Sequence, residues 1–197
     1  MSQPNVKGSM MKLIVLGMLH ERDMHPYEIS LVMKDRNMTH YTKLQIGSLY
    51  YAIDQMAKDG EIEVVEVIRS KNRPDKTVYR ITDQGRAMFQ QLLLGKFKEI
   101  EPIYHPMYGA LSFAKYGDAE ELAAILEQRI YEMRHQVNFY YTLYEDHRGT
   151  VPLGGLHLMI GLYEHAKTEL NWLQRLHADV KNNRLGELGS LDLGEEE

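Results

Sequence analysis

Basic side chains recur every two or three residues in the segment 70–76, where Lys71, Arg73 and Lys76 are opposed by a single acid, Asp75. Ammonium and guanidinium groups at this density suit the phosphates of a nucleic acid backbone. The serine, asparagine and proline of the same segment predict a turn. The sequence therefore predicts an exposed basic loop that can bind phosphate. A basic loop that meets only solvent is the plainer alternative.

A second group of polar side chains lies at the start of a short amphipathic segment that precedes this loop. The apolar residues of that segment recur at helical spacing, which buries one helix face and leaves the other free; they are Ile46, Leu49, Ile53 and Met56. Glutamine can read adenine through two hydrogen bonds, serine can reach bases or phosphates, and a helix N-terminus favours phosphate. We therefore predict DNA contacts from Lys43, Gln45, Ser48 and Tyr51.

The other reactive residues predict neither a metal site nor an active site. His20 and His25 are one residue too far apart for a zinc pair on one helix face. His157 and His165 lie eight residues apart and suit the polar face of a helix. The chain has no cysteine, no glycine-rich phosphate loop and no G-x-S-x-G motif, so we predict no metal, no cofactor and no enzymatic activity.

The elements predicted to carry the basic and polar residues are three helices, a β-hairpin and a fourth helix. Pro26 suits the first position of the second helix, Gly60 suits the end of the third, and Thr82 suits the cap of the fourth. The predicted ranges are 9–20, 26–35 and about 45–60 for the first three helices, 37–42 for a polar connector, 62–68 and 77–81 for the strands, and 83–97 for the fourth helix. This order is typical of a winged helix-turn-helix, which holds one helix in the major groove of DNA and a hairpin beside it.

The second half of the chain predicts two long helices. Asp118 would cap the first, over about 119–146, and glycines at 149–155 would break the chain before the second, over 156–181. The second helix has a nearly heptad apolar stripe, from which we predict homodimer contacts by Leu156, Met159, Tyr163, Leu170 and Leu173. The fold class is therefore mainly α with a small β-hairpin: a winged helix-turn-helix followed by a long antiparallel helical dimerisation domain.

Charge is distributed unevenly between the halves. Residues 1–95 contain 13 Lys and Arg against 11 Asp and Glu, and residues 96–197 contain 10 against 17. An acidic second half lowers the mean charge without neutralising a local basic patch. We predict a DNA-binding domain at 1–97, a dimerisation domain at 98–182 that is also the candidate effector-sensing domain, and a disordered acidic tail at 183–197. No apolar run is long enough for a membrane span, and the lack of cysteine fits the cytoplasm.

Three short motifs follow one another between residues 13 and 90. They are H-P-Y-E-I at 25–29, G-S-L-Y-Y-A-I at 47–53 followed by Met56, Gly60 and Ile62, and Y-R-I-T-D-Q-G-R at 79–86. They resemble H-G-Y-E-I, G-S-L-Y-P-A-L and Y-x-L-T-x-x-G-R of the PadR family of bacterial transcriptional regulators. Pro26 replaces the usual glycine and Tyr51 the usual proline, and the second change puts the base contacts in doubt.

The resemblance implies a regulator that binds double-stranded DNA, with Tyr27, Ser48 and Tyr50 as contacts, and a dimer built by the C-terminal helices. It also implies release of DNA by a phenolic acid or planar drug. Candidate effector contacts are Tyr140, Tyr144, Tyr163 and Trp172, although plain helix packing explains these aromatic residues equally well. We therefore expect a repressor that binds an inverted repeat as a homodimer. A winged-helix adaptor that binds protein instead of DNA, and a regulator without an effector, stay open.

Overall fold

The computed structural model describes residues 6–42, 44–68, 76–100 and 102–189. The chain forms two compact units, residues 1–102 and 103–197, which are described separately below. The division lies five residues beyond the predicted boundary at 97, because the last helix of unit 1 extends to Lys98 and is followed by a short irregular segment.

Unit 1 has five helices and a hairpin among its described residues. A single turn of 3-10 helix, Ile46–Ser48, leads directly into the fourth helix. The elements are α1 (Val6–Glu21), α2 (Pro26–Asp35), α3 (Met38–Tyr41), α4 (Leu49–Lys58), β1 (Ile62–Ile68), β2 (Lys76–Ile81) and α5 (Asp83–Lys98). The predicted polar connector is thus wrong over four of its residues. Asn37 adopts a left-handed conformation with φ of 50°, which ends the right-handed path of α2 just before the short α3 begins.

The core of unit 1 forms around α1, which is apolar on nearly every side and packs against α4, α5 and β2. The apolar stripes of α2 and α4 face the same core. Its fully buried members are Met11, Val15, Leu16, Met18, Leu19, Met24, Ile29, Met33, Leu49, Ile53, Met56, Ile62 and Ile81. Burial of this set explains why α2 and α4 hold fixed positions although each is only 10 residues long.

The ends of α2 and α4 are closed by specific hydrogen bonds. At the start of α2, the ring Nδ1 of His25 accepts from the backbone N–H of Tyr27, and the Glu28 carboxylate accepts from the backbone N–H of His25. At the end of α4, Gly60 has a φ of 71°. The N–H of Gly60 donates to Ala57 and that of Glu61 to Met56, which is a Schellman motif. The predicted helix end at Gly60 is confirmed.

The hairpin pairs β1 and β2 in antiparallel register, from Ile62 opposite Ile81 to Ile68 opposite Lys76. A bulge between Val64 and Glu66 interrupts the ladder, and bulges increase the local twist of a strand. Val64 and Val67 of β1 are half exposed. The reason is that only the base of the hairpin lies on the core of unit 1.

Unit 2 consists of a small helical segment and a helical hairpin. Its elements are α6 (Pro106–Leu111), a 3-10 turn (Ala114–Tyr116), α7 (Ala119–His147) and α8 (Leu153–Lys181). Asp118 caps α7 as predicted, since its carboxylate accepts from the N–H groups of Glu120 and Glu121. The α8 helix starts three residues earlier than predicted because a first turn tolerates the two glycines at 154 and 155. No helix in the described ranges is long and apolar enough to cross a membrane.

The apolar stripe of α8 faces α7 within the same chain. Leu173 is 0% exposed and packs in a cluster with Leu126, Ile130 and Val180, and Leu170 is partly buried against that cluster. Leu173 therefore has no surface left for a second chain, and the structure assigns it an intramolecular contact instead of the predicted dimer contact. A heptad stripe reports that a helix face is covered, but not whether the same chain covers it.

The segment that follows α8 was predicted to be a disordered tail from residue 183. Residues 183–189 instead form turns in which Arg184 pairs with Asp179 and Glu187. Leu185 also packs against the α7–α8 cluster. The rest of the predicted tail, residues 190–197, lies outside the described residues.

Candidate nucleic-acid interface

The exposed side of α4 is opposite the face that the core covers. With about 100° of rotation per residue, Tyr50, Tyr51, Asp54 and Lys58 share one side, while Leu49, Ile53 and Met56 share the other. Tyr50 is 52% and Tyr51 70% exposed. The side chains that α4 offers to a partner are thus two tyrosines, one acid and one lysine.

The entry to α4 brings the predicted polar contacts Gln45 and Ser48 to the surface. The Ser48 hydroxyl donates to the backbone carbonyl of Gln45 over 2.8 Å, so its oxygen remains free to accept from a ligand. A β-carbon added at Gly47 would meet no atom within 4 Å, which leaves the backbone here open to close approach. Lys43, the other predicted contact at this entry, lies outside the described residues.

The described part of the hairpin contributes one predicted contact, Lys76, which is exposed at the first position of β2. Lys71 and Arg73 belong to residues 69–75, outside the described part of the chain. The charge of Lys76 acts on His25: burial and then the positive charge of Lys76 lower the pKa of His25. The first residue of β2 therefore places a positive charge close enough to the start of α2 to act on His25.

Tyr27 lies at the second position of α2 and is 57% exposed. The start of an α-helix has a positive electrostatic potential, and Lys76 adds a formal charge nearby. Glu28 is engaged in the cap and with Arg22 over 3.2 Å, which reduces its repulsion of anions. This corner of the molecule suits a phosphate, with the Tyr27 hydroxyl as a hydrogen-bond donor.

Asp54 is a residue of the exposed α4 face that the sequence analysis did not single out. Burial and then the negative charge of Asp54 raise the pKa of Tyr79 in β2, so the acid lies close to the hairpin. An exposed acid repels phosphate, but a carboxylate accepts well from the amino group of cytosine. Asp54 lies one residue after the buried Ile53 and four residues after Tyr50, so helical spacing places it beside Tyr50 on the exposed face. That placement can be read from the sequence only if α4 is known to start at Leu49.

The four predicted effector contacts do not form one site. Tyr163 and Trp172 are nine residues apart on α8, about two and a half turns, and therefore point to opposite sides of that helix. Trp172 instead contacts the rings of His105 and Tyr108, at centroid distances of 5.0 Å and 5.8 Å. Tyr140 is buried and accepts from Gln136. Tyr144 is partly buried on α7, one turn beyond Tyr140.

A groove of about 250 Å³ lies between α7 and α8. Its floor includes the buried Ile130, and its polar walls include Arg134, which takes part in none of the ion pairs of the described residues. The lining residues are Glu127, Ile130, Tyr131, Arg134, Gln174 and His177. None of them was among the predicted effector contacts, since the sequence could not tell which sides of the two helices border a groove.

The two histidines weighed for zinc, His20 and His25, have other partners in the part of the chain that the structure describes. There, no three His, Cys, Asp or Glu side chains come together as a candidate metal site. His25, one of the histidines weighed for zinc, uses Nδ1 to cap α2. Its partner in the motif, His20, has Nδ1 within 3.0 Å of a guanidinium nitrogen of Arg86.

Residues 15–91 match the family described as the transcriptional regulator PadR-like family. The match covers the described winged-helix elements from within α1 to within α5, including all three motifs. No curated protein sequence matches the chain at a significant level. The family match is therefore confined to unit 1.

Solved structures resemble nearly the whole chain. Bacillus subtilis PadR in complex with operator DNA superposes with a TM-score of 0.74 at 15% identity, covering 91% of this chain and 99% of that one. The PadR-like regulator BC1756 of Bacillus cereus gives 0.65 at 19% identity, covering 87% and 98%. Bacillus subtilis PadR in complex with p-coumaric acid gives 0.71 at 16% identity, covering 86% and 98%. At these identities the likeness establishes the fold: a winged helix followed by long C-terminal helices.

Proposed function

Because residues 15–91 form a PadR-like transcriptional regulator domain, we propose that this chain is a repressor that binds an inverted repeat in operator DNA. In this proposal α4 enters the major groove, and the hairpin and the start of α2 hold the flanking phosphates. The proposed location is the cytoplasm, where the DNA is. The protein acts by occupying DNA and has no enzymatic step.

The observation that supports this function most is the exposed face of α4. Its tyrosines project from a helix whose opposite face is fully buried, so the helix is rigidly supported while its outer side is free. Tyr27 and Lys76 provide a hydroxyl and a cation next to the start of α2. The similarity to a structure solved with operator DNA supports the same mode of binding.

We propose that the dimer forms through the loop end of the α7–α8 hairpin. Large apolar side chains are exposed there on both helices: Phe139, Tyr141, Leu153 and Leu158. Two such helical hairpins can pair as a four-helix bundle, with Leu156, Met159 and Tyr163 at or near the contact. Two chains related by a two-fold axis then read two half-sites of an inverted repeat.

A small planar acid is the proposed effector, and the α7–α8 groove is the proposed place for it. Arg134 can hold a carboxylate, and Ile130 and Tyr131 can contact an aromatic ring. A structural relative was solved with p-coumaric acid, which supports this ligand class. Calorimetric titration with p-coumarate tests the effector: binding that Arg134→Gln abolishes and Arg175→Gln leaves intact would support the groove, and absence of heat would reject it.

The proposed function is tested by selecting duplexes from a random-sequence pool with the full chain. We expect enrichment of an inverted repeat, and steeply salt-dependent anisotropy when the enriched duplex is labelled. Lys76→Gln should weaken binding to all duplexes and lower the salt slope by about one, while Lys181→Gln, at the end of α8, should have no effect. A pool without enrichment would favour the protein-interaction adaptor.

A further inference from the structure

The junction between α4 and β1 contains a glutamate in a position that usually holds an apolar side chain. Glu61 is the residue after the left-handed Gly60 in the Schellman motif that ends α4. The residue at this position commonly packs on the last turn of the helix through a hydrophobic contact. Glu61 is only 2% exposed, so a carboxylate occupies the place of that contact.

The charge of Glu61 is only partly compensated. Nζ of Lys12 in α1 donates to one carboxylate oxygen over 2.8 Å. The other oxygen, Oε2, is buried and has no hydrogen-bond partner among the described residues. Lys12 is 23% exposed and also approaches Asp59 at 3.6 Å. A buried ion pair of this kind contributes little stability compared with a well-packed apolar pair.

The backbone of Glu61 joins the same junction to two further elements. Its carbonyl accepts from the N–H of Thr82, the residue that caps α5, over 3.0 Å. Gly85, in the first turn of α5, lies directly against that carbonyl. Glu61 therefore lies between α4 and β1 in the chain, contacts α1 through its side chain, and contacts the start of α5 through its backbone carbonyl. These links set the direction in which the hairpin leaves α4.

We propose that Glu61 and Lys12 are positioning residues for DNA recognition. The directional ion pair fixes the angle between the hairpin and α4. The hairpin can then contact the phosphates while α4 contacts the bases of the same site. An apolar pair would hold the junction together equally well but would allow the hairpin to settle at other angles, because apolar contacts have no preferred direction. This inference rests on the proposed DNA-binding function.

The test compares the double variant Lys12→Met with Glu61→Leu against the wild-type chain. The probes are the duplex that the wild-type chain enriches from a random pool and a scrambled duplex of the same composition. We expect unchanged or higher unfolding stability, while the preference for the enriched duplex falls about tenfold, as for the loss of one good base contact. Affinity for the scrambled duplex should not change, since phosphate contacts dominate there.

Two further variants separate positioning from plain structure. Glu61→Gln keeps an oxygen that accepts from Lys12, and it should retain most of the wild-type preference. Lys96→Met with Glu99→Leu removes an ion pair between the last turn of α5 and the residue that follows that helix, and it should alter neither preference nor scrambled-duplex binding. Amide hydrogen exchange of the hairpin should accelerate in the Lys12 and Glu61 double variant only.

Each outcome of these measurements either supports or overturns the positioning role of Glu61 and Lys12. An unchanged preference in the stable double variant would overturn the positioning role. A parallel fall of stability and of binding to both duplexes would also overturn it, because the pair would then act only by holding the fold. If the wild-type chain enriches no duplex, the proposed function fails and the inference fails with it. If the wild-type chain enriches a duplex and the double variant keeps the same preference, only the inference fails.

Discussion

At Gly85, a β-carbon would lie 2.0 Å from the carbonyl oxygen of Glu61 and 2.8 Å from Cγ1 of Ile81. Neither neighbour can retreat easily, since one is backbone and the other belongs to the buried core. This contact gives a physical reason for the glycine in the motif at 79–86. Alanine at this position would force β1 away from α5.

We expect Gly85→Ala to lower the free energy of unfolding by about 3 kcal/mol, as overpacking does in a tight core. The measurement is urea denaturation followed by circular dichroism. Gly95→Ala, in the same helix, is the matched control: no atom lies within 4 Å of the added carbon, so it should stabilise by about 0.5–1 kcal/mol. Equal effects of the two changes would contradict the steric explanation.

His25 links helix capping to pH. Burial and then the positive charge of Lys76 lower the pKa of His25, because both disfavour the charged ring. The neutral ring is also the form whose Nδ1 can accept from the backbone N–H of Tyr27. The unfolded chain, with an ordinary histidine pKa of about 6.5, takes up the proton first as the pH falls. The cap's contribution is thus fully present above that pH and is lost as the pH falls through the lowered, folded value.

We expect His25→Asn to flatten this part of the stability profile, since asparagine caps a helix without titrating. The comparison uses the free energies of unfolding of both chains between about pH 5 and pH 7.5, a range that spans the ordinary histidine pKa. The free energy of unfolding of the wild type minus that of His25→Asn should fall as the pH is lowered, because only the wild-type cap is lost on protonation. A difference that stays constant across the range would show that the ring does not titrate in the cap.

At the scale of elements, the sequence predicted β1 at its observed bounds because Val and Ile dominate the segment from Ile62 to Ile68 and glycine precedes it. It predicted the caps Thr82 and Asp118 because short polar side chains accept from helix N–H groups. It missed α3, whose four residues are too few for a periodic pattern. It missed His25 as a cap, because histidine is not among the residues that usually fill that position.

The helical hairpin shows why part of the candidate site could not be predicted. The stripe on α8 gave the covered face correctly, but its cover is α7 of the same chain. The aromatic residues grouped as effector contacts were chosen by type, and their angular positions on α8 separate Tyr163 from Trp172. The sequence spacing determines the angle between two side chains around α8. Which of those side chains face α7 became known only from the observed start of α8 and its pairing with α7.

The assignment of Leu173 to the intramolecular core has a measurable consequence. We expect Leu173→Ala to lower the free energy of unfolding by about 3 kcal/mol, the usual cost of a buried leucine cavity. Leu188→Ala, a change at a fully exposed leucine, should shift stability by less than about 0.5 kcal/mol. If Leu173→Ala instead split the dimer and left the stability of the monomer unchanged, the dimer contact predicted from the heptad pattern would be restored.

At the scale of the whole molecule, a chain with a formal net charge of −5 is proposed to bind a polyanion. The proposal requires the cations to act locally, near α2, α4 and the hairpin, while the acids of the second half stay away from the phosphates. The proposed dimer would strengthen this arrangement, because two copies of α4 and of Lys76 would act on one duplex and their contacts would add.

We expect Leu158→Glu to dissociate the proposed dimer, since it places a charge among the exposed apolar side chains at the loop end of the α7–α8 hairpin. Sedimentation velocity should show a monomer, and binding to the enriched inverted repeat should fall to the level of a single half-site. Thr168→Glu, on the exposed polar side of α8, should remain dimeric. A dimer that survives Leu158→Glu would place the interface elsewhere on the chain.

The surroundings of Trp172 give the molecule a built-in optical probe. The chain has one tryptophan, and its indole contacts the His105 and Tyr108 rings, which belong to the segment that starts α6. Its near-ultraviolet emission therefore reports on the docking of α6 within unit 2. Melting followed by emission and by far-ultraviolet ellipticity will give coincident curves if the two units unfold together, and separate curves if each unit melts on its own.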